Sequence, residues 1–154
     1  MDTTVPRMRL DSDRICNFCH FHEQLDKEYP QGKLGRQCLE QIYDRARAQG
    51  HNRNYDCIVG VSGGRDSTYL LRHLSKEVGL RCLAVHFNDG FGNPTAGHNM
   101  SKAAKTLNVE IRTISADWRE SKDLKLSCLK ASTPDLNLAT DIGLTAALYG
   151  VAAG

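Results

Sequence analysis

No apolar run in these 154 residues approaches the length of a membrane span, and the N-terminus lacks the hydrophobic segment of a signal peptide. Nothing therefore reads as a membrane helix, and the expectation is a cytoplasmic chain without a membrane partner. Charge of one sign is also scarce: 20 Lys and Arg stand against 18 Asp and Glu, a net +2. That balance is too mild for the basic footprint a nucleic-acid partner leaves, so nucleic acid is not expected. Two well-known phosphate signatures are missing as well. There is no G-x-x-x-x-G-K-S/T and no G-x-G-x-x-G, so neither a Walker A loop nor the dinucleotide fingerprint is present. What remains is an ordinary globular composition, 40% hydrophobic and 25% charged, with length enough for one sizeable core.

Six cysteines occur, and three of them (Cys38, Cys57 and Cys82) fall within apolar helix or strand patterns. A free thiol there behaves as a small hydrophobe, so no disulfide framework follows. Cys16 and Cys19 are different, a C-x-x-C followed by His20 and His22. Thiolate and imidazole are zinc's usual ligands, but C-x-x-C is half of a tetrahedral site, and four ligands within seven residues are crowded. A reduced pair without metal is the equal alternative. Redox chemistry fits less well, because no strand is expected before the pair.

The chain is organised around Tyr55 to Leu71, YDCIVGVSGGRDSTYLL. Asp56 to Val61 is a short β-branched run suited to a buried strand. Ser62-Gly63-Gly64-Arg65-Asp66-Ser67 is a glycine-rich turn. A helical pattern follows, with Leu70, Leu71, Leu74 and Val78 on one side and Gly79 placed to stop it. A helix start offers unpaired backbone N–H groups and a partial positive charge. Paired glycines let the backbone close around a phosphate, and Ser62 and Ser67 add hydroxyls. Strand, turn and helix together read as an anion site.

Around it, residues 1 to 15 read as an irregular arm and 34 to 49 as an amphipathic helix ended by Gly50. Leu80 to Phe87 is a second strand, Met100 to Leu107 marks a short helix closed by Asn108, and Val109 to Ile114 is a third strand. Strands separated by helices indicate an α/β parallel sheet with crossover helices, whose ligands sit beyond the carboxyl ends of the strands. Ser115 to Lys130 is predicted helical. The last helix is predicted to start near Thr140 or Asp141, and its nearly all-round apolar sequence predicts burial. A crossover helix at the end of the chain, with no strand after it, sets the expectation of a fragment or one half of a split protein.

Ser62, Gly63, Gly64, Asp66 and Ser67 match S-G-G-x-D-S in strand–turn–helix context, and the stretch resembles the PP-loop of the ATP pyrophosphatase families. The resemblance implies a Rossmann-like three-layer fold of the HUP type (adenine nucleotide alpha hydrolase-like). It also implies ATP with Mg2+, and cleavage between the α- and β-phosphates. Ser62, Gly63, Gly64 and Ser67 would cradle pyrophosphate, with Arg65 adding charge. Asp66 would orient the turn or hold a metal-bound water. His86 and Phe87 would lie at the adenosine, and Asp89 would bind magnesium. For His86 and Asp89, plain strand-end and turn duty is the alternative.

MDTT, then ICNFC, IVGVSGGRDST, VHFNDGFGN and Asp141-Ile142-Gly143 are together similar to the N-acetyl sugar amidotransferase family of surface polysaccharide and lipopolysaccharide biosynthesis. That likeness implies adenylation of an N-acetyl sugar amide oxygen and its replacement by ammonia, acetamido becoming acetamidino. The substrate would be a nucleotide-linked N-acetyl sugar, and a separate glutaminase subunit would supply ammonia. It implies an arm, residues 1–32, with Cys16 and Cys19 as half of a four-cysteine zinc knuckle. Residues 33–154 would be a nucleotide-binding domain, incomplete at its C-terminal end. Two other readings stand beside it: a tRNA-modifying PP-loop enzyme of the thiolation or lysidine type, and a non-catalytic nucleotide-binding fragment.

Overall fold

The computed structural model describes residues 4–154; Met1, Asp2 and Thr3 of the MDTT segment lie outside them. The chain divides into two compact units, Met1–Asp44 and Arg45–Gly154. No described helix is long and apolar enough to cross a membrane.

In the first unit a tight turn precedes a helix the sequence reading did not foresee, α1 (Asn17–Glu28). The Asp11 carboxylate accepts from the Asp13 and Ile15 backbone N–H groups, each at 2.9 Å, and Leu10 and Cys16 form a single antiparallel bridge. Cys16 then caps α1, its sulfur accepting from the Cys19 N–H. The next helix, α2 (Gly32–Gly50), matches the predicted one and begins two residues earlier. Gly32 there adopts φ +67°, a conformation that favours glycine.

The second unit contains a three-stranded parallel sheet in the order β1 (Cys57–Gly60), β2 (Cys82–Asn88) and β3 (Glu110–Ser115). The crossover from β1 to β2 is α3 (Arg65–Arg72), which continues into a π-helical turn, His73–Glu77, before Gly79 at φ +76°. The β2 to β3 crossover is α4 (Pro94–Leu107). It starts earlier than predicted, because Asn93 caps it through Thr95 N–H and Pro94 fits the first helical position. Asn108 closes it in the left-handed region, at φ 54°.

Successive strand residues point to opposite faces, and this sorts the core. Val59, Val61 and Ala84 face α3 and α4, where Leu71, Met100 and Ala104 are also buried. Leu83 and Val85 face the other way. After α5 (Trp118–Lys130), capped by Asp117, the helix α6 (Leu138–Ala153) covers that second face. Helices on both sides of a parallel sheet make the α/β three-layer, Rossmann-like fold that was expected.

Two expectations about α6 are corrected. It starts at Leu138 after Asn137, with Thr140 and Asp141 inside its first turn rather than capping it. It is also not buried. Leu144 and Leu148 approach Gly60, and Gly143 approaches Phe87, but Ile142 and Tyr149 are 63% and 75% exposed. A helix lying on one sheet covers one of its own sides only, whatever the hydrophobicity of the other.

At the amino ends of the strands a polar clamp holds β1 against β2. Asp56, 8% exposed at its side chain, accepts from the Arg81 backbone N–H at 2.8 Å and from its guanidinium at 2.5 Å. Arg81 also donates to the carbonyls of Gly50 and Arg53. That hydrogen bonding to Arg81 holds the Asp56 carboxyl below its ordinary value, against the opposing effect of burial. Tyr55 donates to Glu110 of β3 at the same end.

Candidate functional site

The turn from β1 into α3 is shaped by its own hydroxyls. Ser67 Oγ accepts from the Ser62 N–H at 3.2 Å and lies 3.2 Å from Ser62 Oγ, while Ser62 Oγ accepts from the Gly64 N–H at 3.4 Å. Thr68 Oγ1 donates to the Gly64 carbonyl at 2.7 Å. Gly63, at φ +76°, packs against the first turn of α4; a Cβ there would fall 2.7 Å from the Ala96 carbonyl carbon. Glycine is thus required twice, by its dihedral and by the close approach.

An anion fits this turn. Gly64 stands at the N-cap with no side chain bonded to the helix start, so the first-turn N–H groups of α3 have no side-chain acceptor. Ser62 and Gly64 are exposed, and Gly63 and Ser67 are half-buried. Asp66 and Arg65 stand in solvent, their side chains essentially fully exposed and 3.9 Å apart. Asp66 therefore makes no hydrogen bond that orients the turn, and its carboxylate is open for a cation.

The residues at the end of β2 do not share one pocket. His86 Nδ1 lies 3.1 Å from the Val61 carbonyl, which ties the ring to the residue just before Ser62. Phe87 points to the opposite face and packs on Gly143, where a Cβ would come within 2.5 Å of its ring. Asp89 is enclosed. Its carboxylate accepts from Phe91 N–H at 3.0 Å, Thr140 Oγ1 at 2.7 Å and Lys125 Nζ at 3.0 Å, with 13% of the side chain exposed. Burial pulls this carboxyl up, but the hydrogen bonds from Thr140, Phe91 and Lys125 outweigh it and leave it below the ordinary carboxylate value. Lys125 also donates to Thr140 Oγ1 and lies over the Phe91 ring. The Asp89 oxygens are thus taken by protein donors, whereas the Asp66 carboxylate faces solvent.

Thr68 and Lys125 were not singled out in the sequence, and Thr140 was only as a candidate helix start. Thr68 directly follows the motif and could have been suspected. Lys125 and Thr140 carry no local signal, being brought to Asp89 from 36 and 51 positions away.

The Cys16 and Cys19 sulfurs stand 3.3 Å apart. The Cys19 thiol and backbone N–H groups at the start of α1 hold the Cys16 thiol below its ordinary value, and that of Cys19 is raised by Cys16. The histidines do not complete a zinc site. His20 is 2.6 Å from Asp11, which raises its pKa, and His22 faces Asp26 at 3.2 Å. Among the described residues no three His, Cys, Asp or Glu side chains gather as a metal would need. Zinc does not fit the residues described. Cys16 shares an isolated bridge with Leu10 and caps α1, but no strand precedes the pair among the described residues, as the sequence led one to expect.

No protein-family model matches the chain, and none of the curated proteins does. Among solved structures it is similar to an NH3-dependent NAD synthetase from Campylobacter jejuni subsp. jejuni NCTC 11168, in complex with the nitrate ion. The identity is 20%, the TM-score 0.49, and the match covers 77% of this chain and 52% of that one. The chain thus spans about half the length of that enzyme. At this level the likeness carries no functional weight.

Proposed function

We propose that the turn Ser62–Ser67 binds the phosphates of ATP and that the chain belongs to an ATP-dependent amidotransferase acting on a nucleotide-linked N-acetyl sugar. The observation that supports this is the uncapped start of α3 behind a hydroxyl-braced S-G-G-R-D-S turn, with Gly63 in the left-handed region. In this reading backbone N–H groups of Arg65 to Ser67 and the Ser62 and Ser67 hydroxyls hold pyrophosphate as it leaves. Arg65 adds a solvent-side cation, and His86 steadies the strand end below the turn. Asp66 is the open carboxylate that would hold magnesium, which neutralises charge on the phosphates. The sugar's amide oxygen takes AMP from ATP, and ammonia from a glutaminase then displaces AMP to give the acetamidino group.

A pyrophosphate-release assay with ATP, ammonia and UDP-linked N-acetyl sugars tests the reaction. Release that requires the sugar, and that continues beyond one turnover only with ammonia, is the expected result. The enclosure of Asp89 by Lys125 and Thr140 favours a second reading, a nucleotide-binding module without catalysis. ATP uptake in calorimetry without pyrophosphate release would select it.

A further inference from the structure

Cys57 and Cys82 open β1 and β2, are direct partners in the parallel register, and bring their sulfurs within 3.5 Å. Neighbouring strands lie about 4.8 Å apart. That spacing falls within the roughly 4.4–6.8 Å between α-carbons that a disulfide spans. The residues immediately before them, Asp56 and Arg81, form the clamp described above, so the two thiols are held face to face by an ion pair and not by chance contact. Cys57 is partly exposed, whereas Cys82 is 5% exposed and bonded to the Leu80 carbonyl. One thiol can thus be reached from solvent and the other waits behind it. This is the order of an attacking and a resolving cysteine.

We propose that Cys57 and Cys82 form a reversible dithiol–disulfide site whose reaction partner is a small disulfide of the glutathione class. The Cys57 thiolate attacks one sulfur of the oxidised partner, breaking its S–S bond and releasing one partner thiolate. Cys82 loses its proton and attacks the Cys57 sulfur of the mixed disulfide, releasing the second. The pair gives up two electrons and two protons, and the small disulfide becomes two thiols. The hydrogen bond from Cys82 holds the Cys57 thiol below its ordinary value, which favours the first step. Fixed geometry favours the second, since neighbouring groups react at high effective concentration. The site lies at the amino ends of the strands, opposite the Ser62–Ser67 turn.

The test uses the full wild-type chain equilibrated in glutathione buffers of graded oxidised-to-reduced ratio, quenched in acid, alkylated and digested with trypsin. Cleavage after Arg65, Arg72, Lys76 and Arg81 separates the two cysteines, so a bridge appears as a cross-linked peptide pair. The expected result is a Cys57–Cys82 pair that grows with the ratio, reverses with dithiothreitol, and persists when Cys16 and Cys19 are both serine. Recovery of both residues as alkylated thiols, under conditions that bridge Cys16 to Cys19, overturns the proposal. So does a bridge that forms only in urea, or Cys57 stopping at the mixed disulfide. In C57A the cross-link must vanish while Cys82 stays unmodified in the folded chain.

Discussion

Gly63 and Ala96 touch backbone to backbone: the turn after β1 rests on the first turn of α4, with no room for a side chain between them. Gly63→Ala must therefore do two things at once. Placing an L-residue in the left-handed region costs about 1–2 kcal/mol, and the new methyl pushes the turn off α4. The expected outcome is a lowered urea midpoint together with loss of ATP binding in calorimetry. Gly97→Ala, in the same helix with open space around it, should keep ATP binding and raise the urea midpoint slightly, since alanine is the better helix former.

Ser67→Ala removes the hydroxyl that accepts from Ser62 and that would meet phosphate. A hydrogen bond to a charged group is worth about 1.5–3 kcal/mol, so ATP affinity should fall at least about tenfold. Unchanged affinity would argue that phosphate does not sit there. Stability should move little, because the residue is only half-buried.

Lys125→Met strands the Asp89 carboxylate in a site where both partners are mostly covered, with side chains 16% and 13% exposed. Breaking such a pair costs about 3–5 kcal/mol. Adding Asp89→Asn to Lys125→Met should recover much of that loss, because the uncompensated charge disappears. Chemical denaturation of the single and double variants gives the coupling directly.

Acid should unfold the second unit through Asp56 and Asp89. Both carboxyls lie below their unfolded value of 3.8. Their contribution is complete above that value and is lost as pH falls through the lower folded one. Denaturation midpoints between pH 7 and pH 2 should drop at the acid end, and less steeply in Asp56→Asn. His20 works in the opposite sense: raised by Asp11, it stabilises below its unfolded value of 6.5 and ceases to as pH rises through the folded one.

Leu148→Ala should cost about 1–2 kcal/mol, less than a fully buried leucine. Ile142→Ser on the outer side of α6 should stay within about 0.5 kcal/mol. Thermal melts of the two variants decide whether α6 is covered on one side, as described, or on both, as its composition suggests.

That helix marks the limit of what pattern alone conveys. The strands and crossover helices were legible because β-branched runs, Asn108 and Gly79 act locally. The Ser62–Ser67 turn was legible for the same reason, since its residues lie side by side in the chain. α1 was hidden because its cap is a cysteine, which propensity does not favour. The enclosure of Asp89 was hidden because Lys125 and Thr140 meet it only once α5 and α6 are in place. Apolar content in α6 announced hydrophobicity but could not say how many sides would be covered.

Thr68 sends its hydroxyl to the Gly64 carbonyl, and the same residue lines the small cavity among Leu71, Ala84 and Met100. The bend and the oily layer beneath the sheet are therefore fastened by one side chain. Whatever grips the bend steadies that layer too, so amide protons deep in β1 and β2 would exchange more slowly whenever an anion is held above them.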